Sequence, residues 1–214
     1  MNIQMKSVRR HISAIEAVFI VLCYFWVAVV VFSLTGCVPY SDHPLTNPGQ
    51  ENTDASILGT WFWKDDNESG YIHIGIDEES KLLRIIMLDI DKNAELEVSE
   101  FSGHTSSLAN NKYLNLKWVQ PADAVNGYIF VKYNVNLDEL GISMMNTNVV
   151  ENAIRNGLLS GSVKKDKWSS SIQITEGQKN LKKFILQHDS ALFSETKYLP
   201  KLKLPNSTMK LKQR

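Results

Sequence analysis

After position 37 the chain contains no cysteine. That absence removes disulfides, a thiol nucleophile and any cysteine-ligated zinc site from everything downstream. The two cysteines present, Cys23 and Cys37, both lie near the N-terminus. An excess of charge is missing too: 23 basic residues stand against 23 acidic ones over 214 positions. Residues 1–36 carry Lys6, Arg9 and Arg10 against Glu16, so the remainder holds 20 basic and 22 acidic residues, a net of −2. A mildly acidic body lacks the basic patch that nucleic acid requires, and no nucleic-acid partner is expected. The sequence has no Gly-x-Ser-x-Gly turn, no Walker loop and no zinc motif. No catalytic residue, cofactor or metal is therefore assigned, and a binding role is favoured over an enzymatic one.

What is present begins with three successive parts. Residues 1–13 contain Lys6, Arg9, Arg10 and His11, residues 17–34 are an uncharged apolar run, and small residues follow before Cys37. A basic start, an apolar middle and a small-residue boundary are the layout of a secretory signal. The positive start holds the N-terminus in the cytoplasm. Leu34-Thr35-Gly36-Cys37 resembles the lipobox of bacterial lipoproteins. The resemblance implies cleavage between Gly36 and Cys37, a diacylglycerol on the Cys37 thiol and acylation, such as by palmitate, of the new amino group. Three acyl chains hold a protein firmly, since two already suffice. The alternative is an uncleaved transmembrane anchor: 18 residues reach about 27 Å as a helix, just enough to span. Both readings place the body on the same side of the membrane, in the cell envelope. Val38 follows the cysteine where an aspartate would, by the same resemblance, mark inner-membrane retention. The expected address is the outer membrane, facing the periplasm, in a Gram-negative host.

Residues 37–56 hold three prolines, a glycine and many small polar side chains without apolar periodicity. They read as a flexible tether of about twenty residues, with folded structure beginning near Ile57. From there to residue 204 the chain alternates. Strands are expected at 57–64, 71–76, 82–90, 95–102, 112–119, 128–135, 140–145, 160–164 and 171–175. Period-two patterning with turn signals every eight to twelve residues indicates a mainly β domain, an antiparallel barrel or sandwich. Two short helices are expected. One covers 148–156, capped by Thr147 and stopped by Gly157, and one covers 177–189 with Leu181, Phe184, Ile185 and Leu186 as its apolar stripe. Residues 205–214 read as a disordered basic tail. The cations from Lys197 onward (Lys201, Lys203, Lys210, Lys212 and Arg214) suit a solvated terminus or attraction to anionic headgroups.

Leu58-Gly59-Thr60-Trp61 resembles the Gly-x-Trp signature at the start of lipocalins and related small ligand-binding barrels. The resemblance implies that Trp61 closes one end of a barrel. The Tyr71-x-His73-x-Gly75 strand, with a late tryptophan-containing hairpin, is similar to a set of small bacterial proteins of unknown role and implies no function. Counting from Asp89, oxygen-bearing side chains fall at Asp89, Asp91, Asn93, Glu95 and Glu97, with Glu100 at the twelfth position. That spacing approaches a helix-flanked calcium loop. Ala94 stands where such a loop needs glycine, and both flanks alternate like strands, so a polar hairpin turn is expected. His73, His104 and His188 lack metal-ligand spacing and are expected to be isolated, and Asp77-Glu78-Glu79 to be a solvated turn. The functional expectation is a membrane-anchored lipoprotein binding an apolar small molecule or an envelope protein. An envelope hydrolase and a structural or assembly subunit are the alternatives.

Overall fold

The computed structural model describes residues 38–65, 68–120, 126–165 and 170–203. The expected signal with its apolar run, Gly36, Cys37 and the tail 205–214 lie outside the described residues. Among the described residues no helix is long and apolar enough to cross a membrane.

The strands are β1 (Tyr40–Ser41), β2 (Gly59–Lys64), β3 (Ser69–Ile76), β4 (Leu83–Ile90), β5 (Leu96–Leu108), β6 (Asn111–Gln120), β7 (Ile129–Asn136), β8 (Glu139–Met144), β9 (Gly161–Lys165), β10 (Ser170–Ile174) and β11 (Lys197–Pro200). Helix α1 spans Thr147–Arg155 and α2 spans Gln178–Leu192. Eight strands form one antiparallel sheet in the order β11-β8-β7-β6-β5-β4-β3-β2. Its two edges approach each other just beyond β11. Leu202 donates its backbone N–H to the Thr60 carbonyl at 2.8 Å, and Trp61 bridges Lys201. The sheet is thus a nearly closed barrel, as the mainly β expectation required. A second sheet, β1-β10-β9, with β1 parallel to β10, packs on the barrel's outer face through Ile172 and Ile174.

Side-chain alternation divides the apolar residues into two cores. Along β6, Leu114, Leu116 and Trp118 join Trp61, Ile74, Ile85 and Val131 in the barrel interior. On the opposite face, Tyr113 of β6 and Phe130 of β7 pack with Leu45, Val150, Leu181 and Ile185 in an outer core. Helix α2 covers that outer face through Leu181, Phe184, Ile185 and Leu192, while Leu186 points to solvent. Asp189 fastens it by accepting from the Tyr113 hydroxyl at 2.5 Å and pairing with Lys132.

The structure corrects two local expectations. Helix α1 is capped by Asn146 rather than Thr147: the Asn146 side chain accepts from the N–H groups of Asn148 at 3.0 Å and Val149 at 3.3 Å. The carboxamide thus satisfies two donors that the first turn leaves open. Gly157 ends the helix at φ 70°, as expected. Strand β11 was hidden by its lysines. Lys197 pairs with Asp65 and Lys203 with Asp138, so these cations of the tail belong to the fold.

The largest correction concerns residues 38–56, which are a packed strap and not a tether. Ser41 exchanges backbone hydrogen bonds with Tyr128 at 2.7 and 2.8 Å, and Tyr40 pairs with Gln173. Leu45 is wholly buried in the outer core, which stabilises the contact by about 2 kcal/mol. Its backbone N–H donates to the Asn115 carboxamide oxygen at 2.7 Å. Thr46 bonds Ser106 through its hydroxyl at 2.5 Å and His104 Nε2 through its carbonyl at 2.7 Å. Polar pairing and one leucine do the work that an apolar pattern normally announces. The same strap explains why β5 runs on to Leu108, past the expected end at 102. His104, Thr105 and Ser106 read as loop residues, yet all three are buried.

Candidate functional site

The barrel interior is filled at one end and hollow at the other. At the filled end Trp61 is fully buried. Its Nε1–H donates to the Ile57 carbonyl at 2.8 Å, within a single 3-10 turn at Ala55–Ile57. Lys201 Nζ lies 4.9 Å from the centre of the Trp61 ring system, a cation–π distance. Gly59 makes this arrangement possible. It adopts φ 132°, and a Cβ there would sit 2.8 Å from Lys201 Cε. Trp61, with Gly59 beside it, is thus packed into this end of the barrel. Asp54 seals the same end, accepting from Lys112 at 2.6 Å and from the Tyr133 hydroxyl at 3.1 Å. Burial works to raise the Asp54 pKa, but hydrogen bonds from Lys112 and Ser56 outweigh it and lower it to about 2. Burial, reinforced by the Asp54 charge, pushes the Tyr133 phenol up.

Toward the other end lies a cavity of about 220 Å³ lined by fourteen side chains, all apolar. Each inner face contributes its alternate residues: Ile72 and Ile74 of β3, Ile85 and Met87 of β4, Leu114 and Leu116 of β6, Ile129 and Val131 of β7. Phe101 and Trp118 form one wall, their ring centroids 4.2 Å apart. Leu140, Ile142 and Met144 of β8 complete it, with Val38 at the rim. Met144 is 45% exposed and Val38 39% exposed, so these two side chains form the solvent-facing part of the wall. A water molecule needs two to four polar partners to settle in a cavity. This wall offers none, so apolar atoms fit it better than water does.

The sequence read each of these i, i+2 series correctly as one face of a strand. It did not reveal that the series surround a void, and it missed Val38. The only signal for Val38 is its apolar character in a polar segment.

The acidic stretch is a hairpin turn between β4 and β5, as expected. Asp91 accepts from the N–H groups of Asn93 and Glu95, both at 2.8 Å, and Ala94 takes φ 61°. Asp89 faces Glu68 and Glu97 across a shallow groove. Partial burial, followed by those two negative charges, raises its pKa. Among the described residues no group of three histidine, cysteine or acidic side chains could hold a metal ion. Asp77 receives the Ser80 N–H and hydroxyl at 2.8 Å in a surface turn. The three histidines beyond the strap have separate partners. His73 bonds Thr60 at 2.9 Å, His104 meets the strap, and His188 stacks on Phe184 at 4.6 Å.

No protein-family model, curated protein or solved structure matches this chain.

His104 couples the strap to pH. Burial depresses its pKa, with the Thr46 carbonyl and the Glu51 charge opposing more weakly. An imidazole held neutral in the fold contributes stability that is complete above its ordinary value of about 6.5. That contribution is lost as pH falls through the depressed folded value. The urea midpoint should therefore fall between about pH 7.5 and pH 5. A His104→Gln variant should lose less stability over the same interval. Equal losses in both proteins would remove His104 as the cause.

Proposed function

We propose that this chain is a lipid-anchored envelope protein whose barrel takes an apolar small molecule, or the apolar part of a larger one, into its open end. The observation that carries the reading is the hollow, wholly apolar interior at one end of a barrel plugged at the other. Its size narrows the ligand. An apolar cavity of about 150 Å³ accepts benzene, whereas pockets that enclose whole drug-sized molecules run to about 300–1,000 Å³. A volume of about 220 Å³ suits one slender chain or a small ring. The envelope-hydrolase alternative needs polar groups beside the bound substrate, and the apolar wall favours binding over catalysis there. The address rests on Leu34-Thr35-Gly36-Cys37: lipid on Cys37, and Val38 rather than aspartate after it, favour the outer membrane of a Gram-negative host.

The test is a titration with dodecanoic acid followed by calorimetry. Val131 lines the cavity. A Val131→Phe variant should bind the probe about tenfold more weakly, a loss near 1.4 kcal/mol. Far-UV circular dichroism would check that the barrel survives the added volume. Unchanged affinity in a folded variant would overturn the proposal. Replacing Cys37 with serine should abolish metabolic labelling with palmitate and alter the processed mass; persistence of both would refute the anchor.

A further inference from the structure

We infer that the cavity mouth is pressed against the bilayer, so that an acyl chain of a membrane phospholipid enters the barrel directly from the leaflet. The inference rests on the apolar-ligand reading and the Cys37 anchor proposed above, and adds where the ligand comes from and which surface meets the membrane.

Three observations carry it. The first is covalent. Val38 lines the cavity and is part-exposed, and Cys37 is its immediate neighbour in the sequence. The second is the packed strap. A flexible segment of twenty residues would have let the domain drift, but Tyr40, Ser41, Leu45 and Thr46 are tied to the body. No slack remains between the first described residue and the barrel, so a lipid on Cys37 brings this end, and not another, to the headgroups. The third is the character of that end. The β2–β3 and β4–β5 connections lie on it, and so do the exposed apolar side chains of Val38, Val119 and Met144. One sector of the same end is acidic, with Glu68, Asp89 and Glu97 together. Exposed apolar side chains beside carboxylates fit a zwitterionic surface better than an anionic one.

The experiment uses the lipidated protein in phosphatidylcholine vesicles. The vesicles are doped with a phosphatidylcholine bearing a diazirine on one acyl chain. Irradiation should attach lipid to peptides containing Met87, Trp118 or Met144. A variant with a twenty-residue Gly/Ser spacer between Cys37 and Val38 keeps anchor and cavity but gives the mouth about 25 Å of reach. Cross-linking at those peptides should fall about tenfold with the spacer, while soluble dodecanoic acid binds both proteins equally. Equal cross-linking with and without the spacer, with the probe still bound, overturns the apposition alone. Failure of the probe to bind either protein, or absence of lipid on Cys37, overturns the underlying reading. If the probe enters only the Cys37→Ser chain and vesicle lipid never enters, the occupant is the protein's own acyl chain, and the proposal falls.

Discussion

Trp61→Ala should destabilise the domain by about 4 kcal/mol in urea unfolding, near the top of the range for truncating a buried aromatic. Three losses add in one place. The indole is fully buried in the barrel interior, so its removal leaves a void. The Ile57 carbonyl loses its 2.8 Å donor. The Lys201 ammonium loses the ring it lies over, a contact worth about 0.5–1 kcal/mol where solvent still reaches. Trp61→Phe separates these terms, because it keeps an aromatic body and deletes the N–H. Its cost should be about 2 kcal/mol, combining a smaller void with one unmet carbonyl. A Trp61→Ala loss below about 1 kcal/mol would mean that the indole is not the plug of the closed end.

Asn115→Leu should cost about 3 kcal/mol, although it places an apolar residue at a fully buried position. Asn115 accepts the Leu45 N–H at 2.7 Å and donates to Ser106 Oγ at 2.7 Å and the His104 carbonyl at 3.3 Å. Leucine leaves these groups buried with fewer partners. Each orphaned donor or acceptor costs about 1–3 kcal/mol, and the gain in apolar burial offsets only part of that. The damage should concentrate at the strap. Limited proteolysis should cut within residues 44–54 in the variant well before it cuts the barrel strands. A variant as stable and as protease-resistant as the parent would restore the tether reading of residues 38–56.

The barrel was legible because its inner face is written in period two. Ile72 and Ile74, or Leu114, Leu116 and Trp118, cannot share the inner face unless the backbone is extended. The strap was illegible for the converse reason. Pro39, Pro44, Pro48 and Gly49 are ordinary linker punctuation. The residues that fix it act through single hydrogen bonds to partners such as His104 and Asn115, 58 and 70 positions away. No local pattern encodes such partners. Strand β11 was missed because Lys197 and Lys201 look like a solvated tail, while their partners Asp65 and Trp61 lie far back in the chain. The cavity is a third kind of case. Whether facing apolar side chains meet or leave a gap depends on barrel radius, and period-two alternation is the same for both.

The pairing of β1 with β10 has a consequence for the order of events during synthesis. Tyr40 is made early, yet its partner Gln173 follows 133 positions later. The barrel seam behaves alike, since Trp61 waits for Lys201. Neither the strap nor the seam can form while the chain is still being made, and such long-range pairings are slow in any case. The hollow therefore stays an open sheet until most of the chain has been made. Its apolar face in that interval is a natural client surface for a holdase, and the last fifty residues, although remote from the cavity wall, decide when the cavity first exists.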